Sequence, residues 1–178
     1  MFISPKTVIE ENFNIYLACV AQGHPKVNYY WFKDDFYLIN HFNYAHIYDH
    51  NLFIIKNARI HDSGKYTCLV NNTKGMDKRE VEVTVRTKIW TTLSPTQQVI
   101  RTGQSVLLNC SISGFPVNEI IWLKNGHVWS NYDQNYQMSN NIIKIRNVKR
   151  DDEGMYQCLV KNDFESVQAV ATLIHDGE

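Results

Sequence analysis

Apolar and polar residues alternate along this chain in short runs. Ile15-Tyr16-Leu17-Ala18-Cys19, Val106-Leu107-Leu108-Asn109-Cys110 and Ile143-Lys144-Ile145 keep apolar residues at every second position. A period of two sends successive side chains to opposite faces of an extended backbone, so each run predicts a strand with one buried face. Turn signals lie between the runs. Asn125-Gly126 can take positive φ at both positions and suits a tight hairpin. Asp34-Asp35 reads as the matching turn earlier in the chain. Ser94-Pro95 interrupts the run that opens the second half, as proline does on edge strands because it donates no ladder hydrogen bond.

The pattern occurs twice. One copy holds Cys19, Trp31 and then "DSGKYTC", with Asp62, Gly64, Tyr66 and Cys68. The other holds Cys110, Trp122 and then "DEGMYQC", with Asp152, Gly154, Tyr156 and Cys158. Cysteine separations are 49 and 48 residues. A cysteine pair joining two facing sheets, a tryptophan packed on it and a tyrosine two residues before the second cysteine are hallmarks of the immunoglobulin sandwich. The expected fold is therefore all-β, with two tandem immunoglobulin-like domains, residues 1–86 and 87–178. Their disulfides would be Cys19–Cys68 and Cys110–Cys158. Little room remains between strands C and E for the extra strands of a variable-type domain, which indicates the intermediate set, or I-set. The junction "VEVTVRTKIW" has no Gly, Pro or Ser to loosen it, so a limited range of interdomain angles is expected.

Composition narrows the function classes. The 178 residues suit two small domains, and 18 basic residues balance 18 acidic ones. No strong field is available to hold nucleic acid or an anionic membrane. No apolar run approaches the ~20 residues that span a bilayer, and "MFISPKTVIE" lacks the regions of a signal peptide. The chain reads as a piece of a longer protein, with any secretion signal or membrane anchor outside it. Four paired cysteines imply an oxidising compartment. The sequons Asn71-Asn72-Thr73 and Asn109-Cys110-Ser111 agree, Asn71 being the better placed beside a turn. An extracellular location is expected, at the outer face of the plasma membrane or in a secreted form.

Catalytic chemistry is missing from the sequence. There is no Gly-rich phosphate loop, HExxH motif or nucleophile elbow. No Cys-x₂-Cys pair offers a zinc site. Of the seven histidines, His41, His46 and His50 invite a metal reading. His46 and His50 would, however, stand about 13 Å apart along a strand. Asp34-Asp35 and Asp151-Asp152 are more simply turn and corner residues than calcium ligands. The expectation is no enzyme, no metal, no cofactor and no small-molecule substrate.

The informative residues are apolar side chains that the pattern turns outward. Counting back from Asp62 as from Asp152 puts Phe53, Ile55 and Ala58 inward on strand E of the first copy. Leu52, Ile54 and Lys56 then face out, where the second copy has Ile142, Lys144 and Arg146. On strand B, Ile15, Leu17 and Cys19 point inward and leave Tyr16 and Ala18 outside. Strands B and E adjoin in the ABED sheet, so Tyr16, Ala18, Leu52, Ile54 and Lys56 are expected on one face. The neighbouring D strand, "NYAHIYDH", adds either Tyr44, His46 and Tyr48 or Ala45 and Ile47. Several apolar residues on one open sheet face suggest an association surface. Trp90 at the junction and Trp129 are further candidates, with Trp90 expected to pack between the domains.

"HDSGKYTCLVNNTKG", "DDEGMYQCLVKNDFESVQAVATL" and "SISGFPVNEIIWLKNG" resemble immunoglobulin domains of the Dscam (Down syndrome cell adhesion molecule) family. The resemblance covers nearly the whole chain. It implies a membrane-anchored cell-surface protein whose identical isoforms recognise one another, with roles in neuronal self-recognition or immunity. It also implies that the partner is a second copy of the chain, bound antiparallel through the ABED-side sheet. Two departures stand out. Glu165 replaces the turn glycine Gly75, and neither copy has an arginine near the start of strand D to pair with Asp62 or Asp152. The expected function is isoform-specific homophilic cell-cell recognition. The alternatives are a structural spacer in a filament or ectodomain, and a heterophilic immune-receptor domain.

Overall fold

The computed structural model describes residues 6–38, 45–48, 51–129 and 134–177, with the backbone alone for 45–48. It divides into two compact units, residues 1–87 and 88–178. In the first, β1 (Lys6–Glu10) pairs in parallel with Glu82–Arg86 in the middle of the 20-residue β8 (Gly75–Ser94). The strands β3 (Asn28–Lys33), β4 (Phe36–Tyr37) and β7 (Gly64–Asn72) complete that sheet in the order β8-β7-β3-β4. Facing it is a sheet of β2 (Ile15–Ala18), β6 (Leu52–Ile55) and β5 (Ala45–Tyr48), in the order β2-β6-β5.

In the second unit, β9 (Gln97–Ile100), β11 (Glu119–Lys124), β12 (His127–Val128), β15 (Gly154–Lys161) and β16 (Ser166–His175) form one sheet, β12-β11-β15-β16-β9. The other contains β10 (Val106–Phe115), β13 (Tyr136–Ser139) and β14 (Ile142–Ile145), with β10 paired to β8. The break at Ser94-Pro95 therefore has a structural result. The residues before it pair with β10, while those after it join β16 in the opposite sheet.

The inward sets read from the alternation are buried: Ile15, Leu17 and Cys19 on β2, and Phe53, Ile55 and Ala58 along and beyond β6. Trp31 packs against Phe53 at 5.7 Å between ring centroids, and Phe53 lies 5.7 Å from Tyr66. Each buried side chain of this size removes enough apolar surface to be worth roughly 1.5–3 kcal/mol. The bridges are Cys19–Cys68 and Cys110–Cys158. In each tyrosine corner the phenol donates to the carbonyl four residues back, Tyr66 to Asp62 at 2.8 Å and Tyr156 to Asp152 at 2.9 Å.

The hairpins follow their sequence signals. Asn125 and Gly126 have φ of 51° and 80°, and Asp34 and Asp35 have 48° and 68°. Asn125 and Asp34 add the same contact, each side chain accepting from a backbone N–H of the neighbouring strand, of Met155 and Lys65 respectively. The departure at Glu165 does not lengthen the turn. Two residues separate Asn162 from Glu165, which are joined by an N–H to carbonyl bond at 3.0 Å, as two separate Asn72 from Gly75, and Gly75 has no positive φ that a side chain would strain. Asn162 Oδ1 accepts from the N–H groups of Phe164 and Glu165, and Glu165 Oε1 accepts from the Ile89 N–H.

Candidate interaction surface

The outward face of β2-β6-β5 carries the residues that the alternation singles out. Antiparallel pairing sets Tyr16 opposite Ile54 and Ala18 opposite Leu52. Side chains directly opposite in a ladder share a face about 4.5–5.5 Å apart at Cβ, so each pair forms one contact. Tyr16 is 62% exposed, Lys56 is exposed, and Ala18, Leu52 and Ile54 are half-buried. The Tyr16 hydroxyl accepts from Asn14 Nδ2 at 3.3 Å. The D-strand alternatives are separated by the backbone register. β5 sets His46 opposite Ile54 and Tyr48 opposite Leu52, and Ala45 and Ile47 opposite the buried Ile55 and Phe53. Positions 46 and 48 thus fall on the Tyr16 side of the sheet. Tyr44, like His41 and His50, lies outside the described residues.

The same face in the second unit is built differently. Leu107 lies opposite Lys144, and Asn109 opposite Ile142. Lys144 thus places a charge where the first unit has Ile54. Asn109, the sequon asparagine, occupies the position equivalent to Ala18 on this face. Asn71 stands at the turn end of β7, opposite Met76. Trp90 is 58% exposed. Trp129 is held inside its own unit, edge-on to Tyr136 at 5.4 Å and to Tyr156 at 5.8 Å.

The acidic residues have structural partners. Asp62 and Asp152 accept from the N–H groups of Arg59 and Lys149, both at 2.8 Å, closing single-turn 3₁₀ helices. Asp152 also accepts from the Tyr136 hydroxyl at 2.8 Å. That contact takes the place of the missing arginine, and its one sequence signal is a tyrosine sixteen residues away. Burial, reinforced by the Asp152 charge, pushes the Tyr156 phenol well above its ordinary value, so it stays a neutral donor. Among the described residues no three His, Cys, Asp or Glu side chains are grouped to hold a metal ion, and no helix is long and apolar enough to cross a membrane.

A groove of about 440 Å³ lies in the first unit beside Cys19–Gly23 and Gly75–Arg79. The equivalent space in the second unit is filled by residues 88–94. There Ile89 and Leu93 are buried, Thr91 Oγ1 donates to the Ser111 carbonyl, and Gly114 leaves room for the backbone at Lys88. The groove thus marks the position that residues 88–94 occupy in the second unit.

One surface escaped the sequence reading. Tyr30 and Phe32 flank the inward Trp31 and turn to the outer face of β8-β7-β3-β4. Tyr37 joins them at 6.1 and 5.4 Å between ring centroids. Two aromatic residues spaced two apart around a core tryptophan were the available signal.

Comparison with known proteins places this geometry. The immunoglobulin I-set domain profile matches residues 3–85 and 90–174. The cell adhesion molecule Dscam1 of Drosophila melanogaster is 31% identical over 93% of this chain, which spans 8% of that protein. Hemicentin-1 of Homo sapiens is 32% identical over 87% of the chain, which spans 3% of it. A solved structure described as "Structural basis for Dscam isoform specificity" aligns with a TM-score of 0.85 at 29% identity, over 98% of this chain and 44% of that one. The N-terminal eight immunoglobulin domains of DSCAM isoform 1.30.30 also align with a TM-score of 0.85, at 30% identity over 97% of this chain and 25% of that one. These matches are to non-enzymatic modules. The chain belongs to the immunoglobulin I-set family, as two tandem domains similar to those of Dscam.

Proposed function

We propose that this chain is an extracellular recognition module of a cell adhesion receptor, and that its partner is a second copy of itself. The reading is carried by one observation, the Tyr16–Ile54 pair on an open sheet face where the second unit has Leu107 and Lys144. Two copies meet antiparallel about a two-fold axis, because identical partners favour an isologous contact in which each patch meets itself. Tyr16, Ile54 and Leu52 supply the apolar centre and Ala18 its floor. Lys56, with positions 46 and 48, forms the margin that selects matching isoforms by penalising mismatched ones.

Near-zero net charge does not oppose the meeting of like molecules. One domain face gives an interface of modest size, and many copies on opposed cells compensate through avidity. The similarity to adhesion molecules named Dscam supports this role, along with an anchor elsewhere in the parent and glycosylation at Asn71 and Asn109. The test is Ile54→Asp, assayed by aggregation of cells that display the chain. Loss of aggregation with an unchanged melting temperature is expected. Full aggregation by folded Ile54→Asp protein contradicts the reading.

A further inference from the structure

We infer that the outer face of β8-β7-β3-β4 in the first unit is a second self-association surface, on the opposite side of the sandwich from Tyr16. Its cross-strand rows can be read from the register. One row runs Lys78, Leu69, Tyr30, and the next runs Glu80, Thr67, Phe32, Tyr37. Lys78 and Glu80 lie at the exposed end of adjacent rows, with aromatic rings at the other end.

These rows are complementary to each other. A two-fold axis lying between them, along the direction in which the strands succeed one another, reverses strand direction and sets each row over the other row of the second copy. Lys78 and Glu80, bonded to each other at 3.0 Å within one copy, then stand over Glu80 and Lys78 of the second copy, so the four charges alternate in sign around the axis. Leu69 covers Thr67, and Tyr30 stacks on Phe32. Both charges are matched and both aromatic pairs are formed by one symmetry operation. This complementarity selects a second copy of this chain over a partner of uniform charge. The equivalent rows of the second unit are Gln168, Leu159, Ile121 and Val170, Gln157, Leu123, Val128. They carry no charge that could fix such a register.

Two further observations fit the same face. Tyr37 is 51% exposed despite its ring contacts, so the aromatic end is open. Thr67, at the centre, is 8% exposed and its Oγ1 has no hydrogen-bond partner. Neighbouring side chains cover that hydroxyl from water, an arrangement that a purely solvated strand position does not need. With one isologous surface on each side of the sandwich, the chain can build an open-ended row of molecules instead of a closed dimer.

Asn71 shares this face with Leu69, so a glycan there would limit access to it; the test therefore uses the full chain made without N-glycosylation and separates the two surfaces. Sedimentation equilibrium is measured on the Tyr16→Asp protein, in which the β2-β6-β5 face is silenced. A concentration-dependent monomer–dimer equilibrium is expected. Adding Lys78→Glu should weaken it at least about tenfold by apposing like charges. The double swap Lys78→Glu with Glu80→Lys should restore self-association but not mixing with the unswapped protein. Both swapped residues are exposed, so folding is not at stake. A monomeric Tyr16→Asp protein at every concentration overturns the inference, as does indifference to Lys78→Glu. If Lys78→Glu alone removes all assembly while Tyr16→Asp removes none, this surface stands and the β2-β6-β5 reading falls.

Discussion

A single hydroxyl closes each tyrosine corner, and its loss is measurable. Tyr156 donates to the Asp152 carbonyl in a buried setting. Tyr156→Phe keeps the ring and leaves that carbonyl unpaired, so denaturant unfolding of the second unit should show a loss of about 1–3 kcal/mol. Gly154 has a different requirement. Its φ is +143°, and a Cβ there would sit 2.6 Å from Asn125 Oδ1. Gly154→Ala should destabilise the same unit by about 1–3 kcal/mol, read as a lower melting temperature. The hallmark residues were legible because their spacing along the chain encodes their contacts. The Tyr136–Asp152 hydrogen bond was not legible, because no local spacing relates the two residues and a family habit pointed to arginine.

At the scale of strands, legibility depended on anchors. The inward sets of β2 and β6 could be counted from Cys19 and from Asp62, and both sets are buried. The D strand had no anchor, since "NYAHIYDH" offers plausible apolar residues in either register, and only pairing with β6 separates them. The outer face of β3 has no alternation to reveal it. Tyr29-Tyr30-Trp31-Phe32 is an unbroken aromatic run, so no polar position marks the solvent side. The pair Lys78 and Glu80 on β8 makes a prediction of its own. Hydrogen bonding to Lys78 holds the Glu80 carboxyl below its ordinary value, and the same bond holds the Lys78 ammonium above its own. A depressed carboxyl holds its charge to lower pH than an ordinary one. Association through the outer face should therefore weaken as acidification carries the pH through the lowered Glu80 value, as followed by sedimentation.

For the whole molecule, the bridges contribute stability and the proposed recognition lies on the open sheet faces. Replacing Cys110 and Cys158 by alanine releases a closed segment of 48 residues and should cost about 2–5 kcal/mol. Paired cysteines, the absence of catalytic motifs and balanced charge were all visible in the sequence. They separate a recognition module from an enzyme or a nucleic-acid binder but leave the choice of face open. That choice depends on exposure, which alternation indicates only as inward or outward. The most direct measurement is sedimentation equilibrium of the intact chain from micromolar to millimolar concentration, beside Tyr16→Asp. Self-association of the native chain, clearly weakened in a Tyr16→Asp protein with unchanged melting temperature, is the predicted result. A native chain that stays monomeric throughout, or a Tyr16→Asp protein that associates as strongly as the native one, would contradict recognition through the β2-β6-β5 face.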